Sequence, residues 1–417
     1  MCGNEWGGSM GAYFNFSSEE DLNQFLDTVH FSNCEEQGCD GVCEISMQPV
    51  HISIIDKTID FEELPLLKCK KCGHLYMTVY AANMIHCIYE QLKNRSDSGV
   101  FCKRTQYLQR YNYCEDINFE YDSRDYRSIP GLCTLFSNDG FLQPVFFDRK
   151  ALISFIGDPD YDVDIFSDSY GKIAHLIEPE WIVPFGFNTN KRLVLWLGDI
   201  AQMDQSSQYL LKGRNIPSDH LLMDSQFYQA QLNVIWSDPS TEKQIVRCNE
   251  QFISNVKKKY NIDLEHLTDQ NVELEKELQR PIAFEKAEIL SVINAFRRIL
   301  VEGINVSGLR KLYEKLYHES ERHEDYKDFG SIKLIDYILQ KLSPQSHKNG
   351  QNIIGPLYLV NDFRTILDHS IGSNEKRLKN NILKTLNVSS WDKQEEIYCK
   401  EIKGLKRLYQ MLVAVTE

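Results

Sequence analysis

Cys69-Lys70-Lys71-Cys72-Gly73-His74 is the stretch on which the N-terminal fold turns. A Cys-x2-Cys turn lets two thiolates face one ion, and the glycine after it permits a tight backbone. A second thiol run lies upstream, Cys34-x4-Cys39-x3-Cys43. Between the two, Val50, Ile52 and Ile54 alternate with other residues, the period of strands with one buried face. Two cysteine knuckles joined by strands make a tetrahedral site. Cys39, Cys43, Cys69 and Cys72 are the expected ligands of a structural Zn2+, with Cys34 an alternative to Cys39 and His74 an outside candidate. Four sulfur ligands leave no open position for water, so the expected site is closed and structural. The other cysteines, Cys2, Cys87, Cys102, Cys114, Cys133, Cys248 and Cys399, stand apart and read as reduced thiols.

With these knuckles and the strands between them, residues 30–80 resemble a zinc ribbon. Ribbons often occur in proteins that handle nucleic acids, so the resemblance implies that company.

Outward from the knuckles, Ser17-Ser18-Glu19-Glu20-Asp21 supplies a cap and an acidic first turn for a short helix with Leu22, Phe25 and Leu26 on its face. Ala81 to Leu92 has helical periodicity. From Tyr121 the texture becomes β-rich. Phe141–Phe147, Trp181–Phe187 and Arg192–Asp199 read as strands, the last two joined at Asn188-Thr189-Asn190. Asp158 to Ile165 alternates carboxylates with other residues, a wet strand face. Asn215 to His220 leads into a helix carrying Phe227, Gln231 and Ile235, with Ser218 or Asp219 as its cap. From Pro281 onward each element reads as helix, ending with 374–386 and 391–415.

A chain of 417 residues exceeds one ordinary domain. The expected fold class is α+β multidomain, in three parts: a zinc-ribbon-containing region over 1–120, a central β-rich α+β domain over 121–264 and an all-α bundle over 265–417. A net charge of −14 opposes non-specific duplex binding, which needs a basic surface, but leaves room for a local basic groove. No stretch is apolar enough to span a membrane, and the N-terminus lacks a basic segment followed by an apolar one. The expectation is a cytoplasmic protein with no membrane association.

One late helix carries the candidate chemistry. In Pro356-Leu357-Tyr358-Leu359-Val360-Asn361-Asp362-Phe363-Arg364-Thr365-Ile366-Leu367-Asp368-His369, Leu359, Phe363, Ile366 and Leu367 form an apolar seam. Four residues separate Arg364 from His369, a phosphate-gripping cation and a proton-moving imidazole. Arg364 and Asp368 also suit an exposed i, i+4 ion pair.

A helical bundle bearing Arg-x4-His resembles the HEPN superfamily of ribonuclease domains. The resemblance implies a metal-independent endoribonuclease in a bacterial toxin or antiviral defence setting, with RNA as partner and a homodimer sharing one active site. Arg364 would bind the scissile phosphate, His369 would move protons and Asp368 would tune it. Asn361 would stand at the mouth of the site, and Lys376, Arg377 and Lys379 would hold RNA. The competing expectation is a non-catalytic zinc-containing adaptor for a protein or nucleic-acid partner. A third is a metal-dependent catalyst using Asp199, Asp219, His220 or Asp224.

Overall fold

The structure, a computed structural model, describes residues 11–28, 32–103, 109–132, 139–266, 274, 278–344, 353–368 and 375–417. The fold is α+β: an N-terminal sheet with a cysteine cluster, a central antiparallel sheet and a C-terminal helical region. The chain divides into two compact units, residues 1–164 with 169–237, and residues 165–168 with 238–417.

The first unit begins with strand β1 (Ala12–Phe16), whose residues alternate buried and exposed, and a helix Glu19–Leu26 capped by Ser18, whose Oγ accepts from the Asp21 amide at 3.1 Å. Two long strands follow, β2 (Cys43–Ile54) and β3 (Lys57–Cys69), paired antiparallel from Cys43↔Cys69 at the root to Ile54↔Lys57 at the tip. β4 (Leu75–Met77) pairs with β3 near the root. Helix Val79–Leu92 crosses back, and β5 (Gly99–Cys102) joins β3 in parallel near the tip. β1 lies parallel to β2. Each parallel partner is reached through a helix, as parallel pairing demands of a chain that must return to the same end. One face of this sheet packs on the two helices through Phe14, Ile52, Ile54, Ile59, Leu66, Ala81, Ile85 and Tyr89.

The second sheet has the order β11-β6-β10-β9-β8-β7. Its strands are β6 (Pro144–Phe147), β7 (Tyr161–Ile165), β8 (Tyr170–His175), β9 (Trp181–Phe187), β10 (Leu193–Trp196) and β11 (Asn215–Ile216). The strand expected over Phe141–Phe147 starts only at Pro144, a residue with no N–H to give a ladder, suited to a strand's first position. The carboxylate row shortens too. Asp158 and Asp160 lie in a turn, where Asp158 Oδ1 accepts from the Asp160 amide at 3.0 Å, and β7 itself buries Val163 and Ile165. The helix after His220 covers only Gln226–Gln231, and Ile235 is exposed. Cys43, Ile45, Leu67, Cys69 and Tyr76 from the hairpin root share one apolar cluster with Phe146, Val194, Trp196, Met223 and Phe227, so the root is anchored on the second sheet.

The second unit is helical: Thr241–Tyr260, Lys286–Arg297, Val306–Leu316, Ser331–Leu342, Gly355–Asp368, Glu375–Leu386 and Gln394–Thr416. Three lysines in the last turn of Thr241–Tyr260 complement the helix dipole, and Asn261 at φ 55° ends it. The first and last helices run parallel, joined by Tyr398 to Glu242 at 2.9 Å near one end and Asn255 to Thr416 at 3.5 Å near the other. No helix among the described residues is long and apolar enough to cross a membrane.

Candidate metal centre

The two knuckles meet because their backbones pair. Asn33 bridges Val42, the Cys34 amide donates to Gly41 O at 2.8 Å, and the Lys70 amide donates to Val42 O at 3.0 Å. In the second knuckle the Gly73 amide donates to Cys69 O at 3.0 Å, and Gly73 sits at φ +78°, where a Cβ would strain the turn.

This pairing gathers the thiols of Cys34, Cys39, Cys69 and Cys72, all within 4.8 Å of one another. Cys34 Sγ lies 3.5 Å from Cys72 Sγ, and Cys39 Sγ lies 3.7 Å from Cys69 Sγ. Four sulfurs placed about 2.3 Å from a central ion would stand about 3.8 Å apart. The donor set and its spacing therefore fit a structural metal such as zinc. The space is shaped for sulfur: a Cβ on Gly41 would lie 2.5 Å from Cys69 Sγ and 3.4 Å from Cys39 Sγ.

Surrounding groups orient the sulfurs, as supporting groups do in metal sites. The amides of Lys71 and Cys72 approach Cys69 Sγ at 3.3 and 3.5 Å. Burial opposes ionisation of the Cys69 thiol, but these amides and the neighbouring thiols outweigh it and bring it down to about 6. The Tyr76 hydroxyl lies 3.1 Å from Cys34 Sγ and accepts from the Glu35 amide at 2.9 Å. Outside the sulfurs, Lys71 pairs with Asp40, and Lys70 with Asp224 at 2.5 Å.

The cluster differs from the expected ligand set at one position, holding Cys34 where the sequence reading has Cys43. Cys43 is fully buried, opens β2 opposite Cys69 and belongs to the apolar cluster under the root. Burial pushes its thiol up to about 12, and the neighbouring thiols add to this. The signal was present in the sequence: Cys43 falls in phase with Ile45 along the strand, so it reads as a core thiol. His74 stays outside the four, with Nδ1 3.1 Å from Glu36 and its ring against Tyr76.

The C-terminal candidates stand as follows. Helix Gly355–Asp368 forms and buries Leu359, Phe363, Ile366 and Leu367, with Arg364 half-buried. His369 and the Asp368 side chain lie outside the described residues. Asn361 Oδ1 accepts from Arg297 Nε at 3.2 Å. Lys379 pairs with Glu375 at 2.6 Å and lies over the Trp391 ring, whereas Lys376 and Arg377 are exposed.

The third candidate group finds separate partners. Asp219 accepts from Asn188 and Asn190, at 2.8 and 2.9 Å, and pairs with Arg192, while Asp224 meets Lys70. Burial pushes Asp199 up to about 6. His220 Nδ1 lies 2.6 Å from Asp125 Oδ1, and Ser218 Oγ donates to Asp125 Oδ2 at 2.6 Å rather than capping a helix. Burial works against charge on His220, but the Asp125 bond holds the imidazole above its ordinary range. Among the described residues the four cysteines are the one group of three or more His, Cys, Asp or Glu side chains drawn close enough to hold a metal.

Sequence reasoning passed over Glu44. This buried carboxylate takes the amides of Leu222 and Met223 at 2.8 Å and of Asp224 at 2.9 Å, tying the hairpin root to the loop before helix Gln226–Gln231. A lone glutamate in a strand gives no local sign of a partner so far along the chain.

No family model, curated protein or solved structure matches this chain.

Proposed function

We propose that Cys34, Cys39, Cys69 and Cys72 hold a structural zinc ion and that the chain is a non-catalytic binding protein built on that staple. The observation that carries this reading is the sulfur spacing, which matches the edge of a zinc–thiolate tetrahedron. Zinc with four sulfur ligands has no position left for water or substrate, so its work is to hold the two knuckles together. Without a cation, four thiolates this close would repel one another; a divalent ion offsets that cost. Elemental analysis of purified protein tests the reading. About one zinc per chain is expected, with a fall in thermal stability once a strong chelator removes it. Much less than one would remove the basis of the proposal.

A second reading is a metal-independent endoribonuclease acting as a homodimer in bacterial defence, with Arg364 gripping the RNA phosphate and His369 moving protons. It is supported by the formed helix under Arg364, whose seam is buried, and by the exposed Lys376 and Arg377 on the next helix. Purified protein is incubated with total RNA beside the His369→Ala variant. Cleavage lost in the variant supports this reading; cleavage that is absent, or survives the substitution, removes it.

A further inference from the structure

The sheet face that is anchored at the hairpin root is open at the tip. Strand register lays four side chains in a row across four strands there: Tyr13 opposite His51, His51 opposite Asp60 and Asp60 opposite Phe101. Directly opposed residues project from the same face. The Tyr13 ring stacks on His51 with centroids 5.1 Å apart and planes 8° apart, and His51 Nδ1 lies 2.6 Å from Asp60 Oδ1. Tyr13 is 38% exposed and Phe101, at the far end, 58%. A groove of about 610 Å3 runs over the row, lined also by Pro49 and Glu62.

We propose that this groove seats the arginine or lysine side chains of a basic peptide, between the Tyr13 and Phe101 rings and against the Asp60 and Glu62 carboxylates. The assignment rests on the reading of the chain as a binding protein and names the partner's chemistry. Aromatic faces attract cations, and a guanidinium both stacks on a ring and meets a carboxylate with paired donors. Among the described residues, the groove's lining contains two carboxylates and no lysine or arginine. A nucleic acid would bring its phosphates against those carboxylates, so charge selects a cationic partner. A route for the peptide backbone exists as well. Among the described residues β1 pairs with β2 alone, and an extended segment laid on its other edge gains main-chain hydrogen bonds. A second groove, of about 740 Å3, shares Ala12 and Tyr13 and continues to the knuckles at Gly38 and Gly73.

The test is fluorescence anisotropy of the full chain with a labelled peptide of alternating arginine and glycine. Its counterpart with uncharged citrulline for arginine and a labelled oligo-uridine RNA are measured beside it. The expected result is saturable binding of the arginine peptide, at least about tenfold tighter than the citrulline peptide. Phe101→Ala is expected to weaken it about threefold to tenfold, as is Asp60→Asn. Phe101→Ala changes no charge, so its effect separates this groove from general attraction to an acidic chain. Equal binding of the citrulline peptide, or unchanged affinity in both variants, overturns the proposal. So does RNA binding tighter than the arginine peptide and weakened by Phe101→Ala. Zinc content and melting temperature are measured on the same samples. Full zinc with no peptide binding overturns this groove alone, whereas missing zinc overturns the staple however the peptide behaves.

Discussion

At the scale of single residues, two cysteines four positions apart have opposite chemistry because their backbones differ. Cys39 sits in a loop whose carbonyls and amides turn its thiol toward Cys69. Cys43 sits in a strand and its thiol enters the core. Cys34→Ser is therefore expected to lose most bound metal, and Cys43→Ser to keep it at the cost of some stability, both read by elemental analysis and thermal melting. Glu401 presents a different case. It is fully buried in the helical unit, neither carboxylate oxygen has a hydrogen-bond partner among the described residues, and burial holds its carboxyl well above the usual range, with Asp362 adding to the shift. The fold thus keeps its proton, while the unfolded chain releases it above about 4.5. Over that range the unfolded chain binds fewer protons, so the Glu401 contribution to stability falls as pH rises. Glu401→Leu is expected to stabilise the protein by about 1–3 kcal/mol at neutral pH. The gain in melting temperature should be larger at pH 8 than at pH 5; an equal gain at both would show that Glu401 does not carry a raised pKa.

At the scale of elements, the long hairpin explains how one sheet face serves two purposes. From Gln48↔Leu64 to Val50↔Phe61, β2 advances two residues and β3 three. The extra residue near Glu62 and Glu63 switches the phase of β3, so Ile59 and Phe61 share a face with Leu64 and Leu66 rather than with Leu67 and Cys69. That phase change is why alternation read along β3 alone misassigns its inward residues. Helix Val79–Leu92 is set on this sheet by one hydroxyl. Thr78 Oγ1 accepts from the Ala81 amide at 3.0 Å and donates to Pro65 O at 2.8 Å. Thr78→Ala loses both bonds and is expected to cost about 1–2 kcal/mol, measured by denaturant unfolding. Thr78→Ser, which keeps the hydroxyl, is expected to recover most of that loss.

At the scale of the whole molecule, the chain does not divide at one point. Ile165, the last residue of β7, and residues 166–168 before β8 belong to the second unit, while the chain on either side belongs to the first. Within that second unit, Asp168 accepts from the Thr241 amide and hydroxyl, each at 2.8 Å, and pairs with Arg280 at 3.0 Å. It thereby adds to the cap that Ser240 gives the helix Thr241–Tyr260, taking the first helical amide, and keeps a partner beside Arg280, which also faces the buried Glu242. Asp168→Ala is expected to lower the stability of the helical unit by about 1–3 kcal/mol, followed by helical circular dichroism on heating. A helical melt unchanged by the substitution would show that the four-residue crossing is incidental.

Residue patterning sets the kinds of element and most of their places. Apolar periods of two and of three to four, the cap at Ser17-Ser18 and the Cys-x2-Cys turn are local properties, and a local pattern is enough to state them. It also showed that thiols from two separated runs would meet. Which four did follows from the folded arrangement, through the strand register that buries Cys43 and the backbone pairing of the two knuckles. The row from Tyr13 to Phe101 and the clamp on Glu44 were likewise invisible beforehand. Each is made by residues far apart in the chain, and no local spacing encodes the pairing of distant strands.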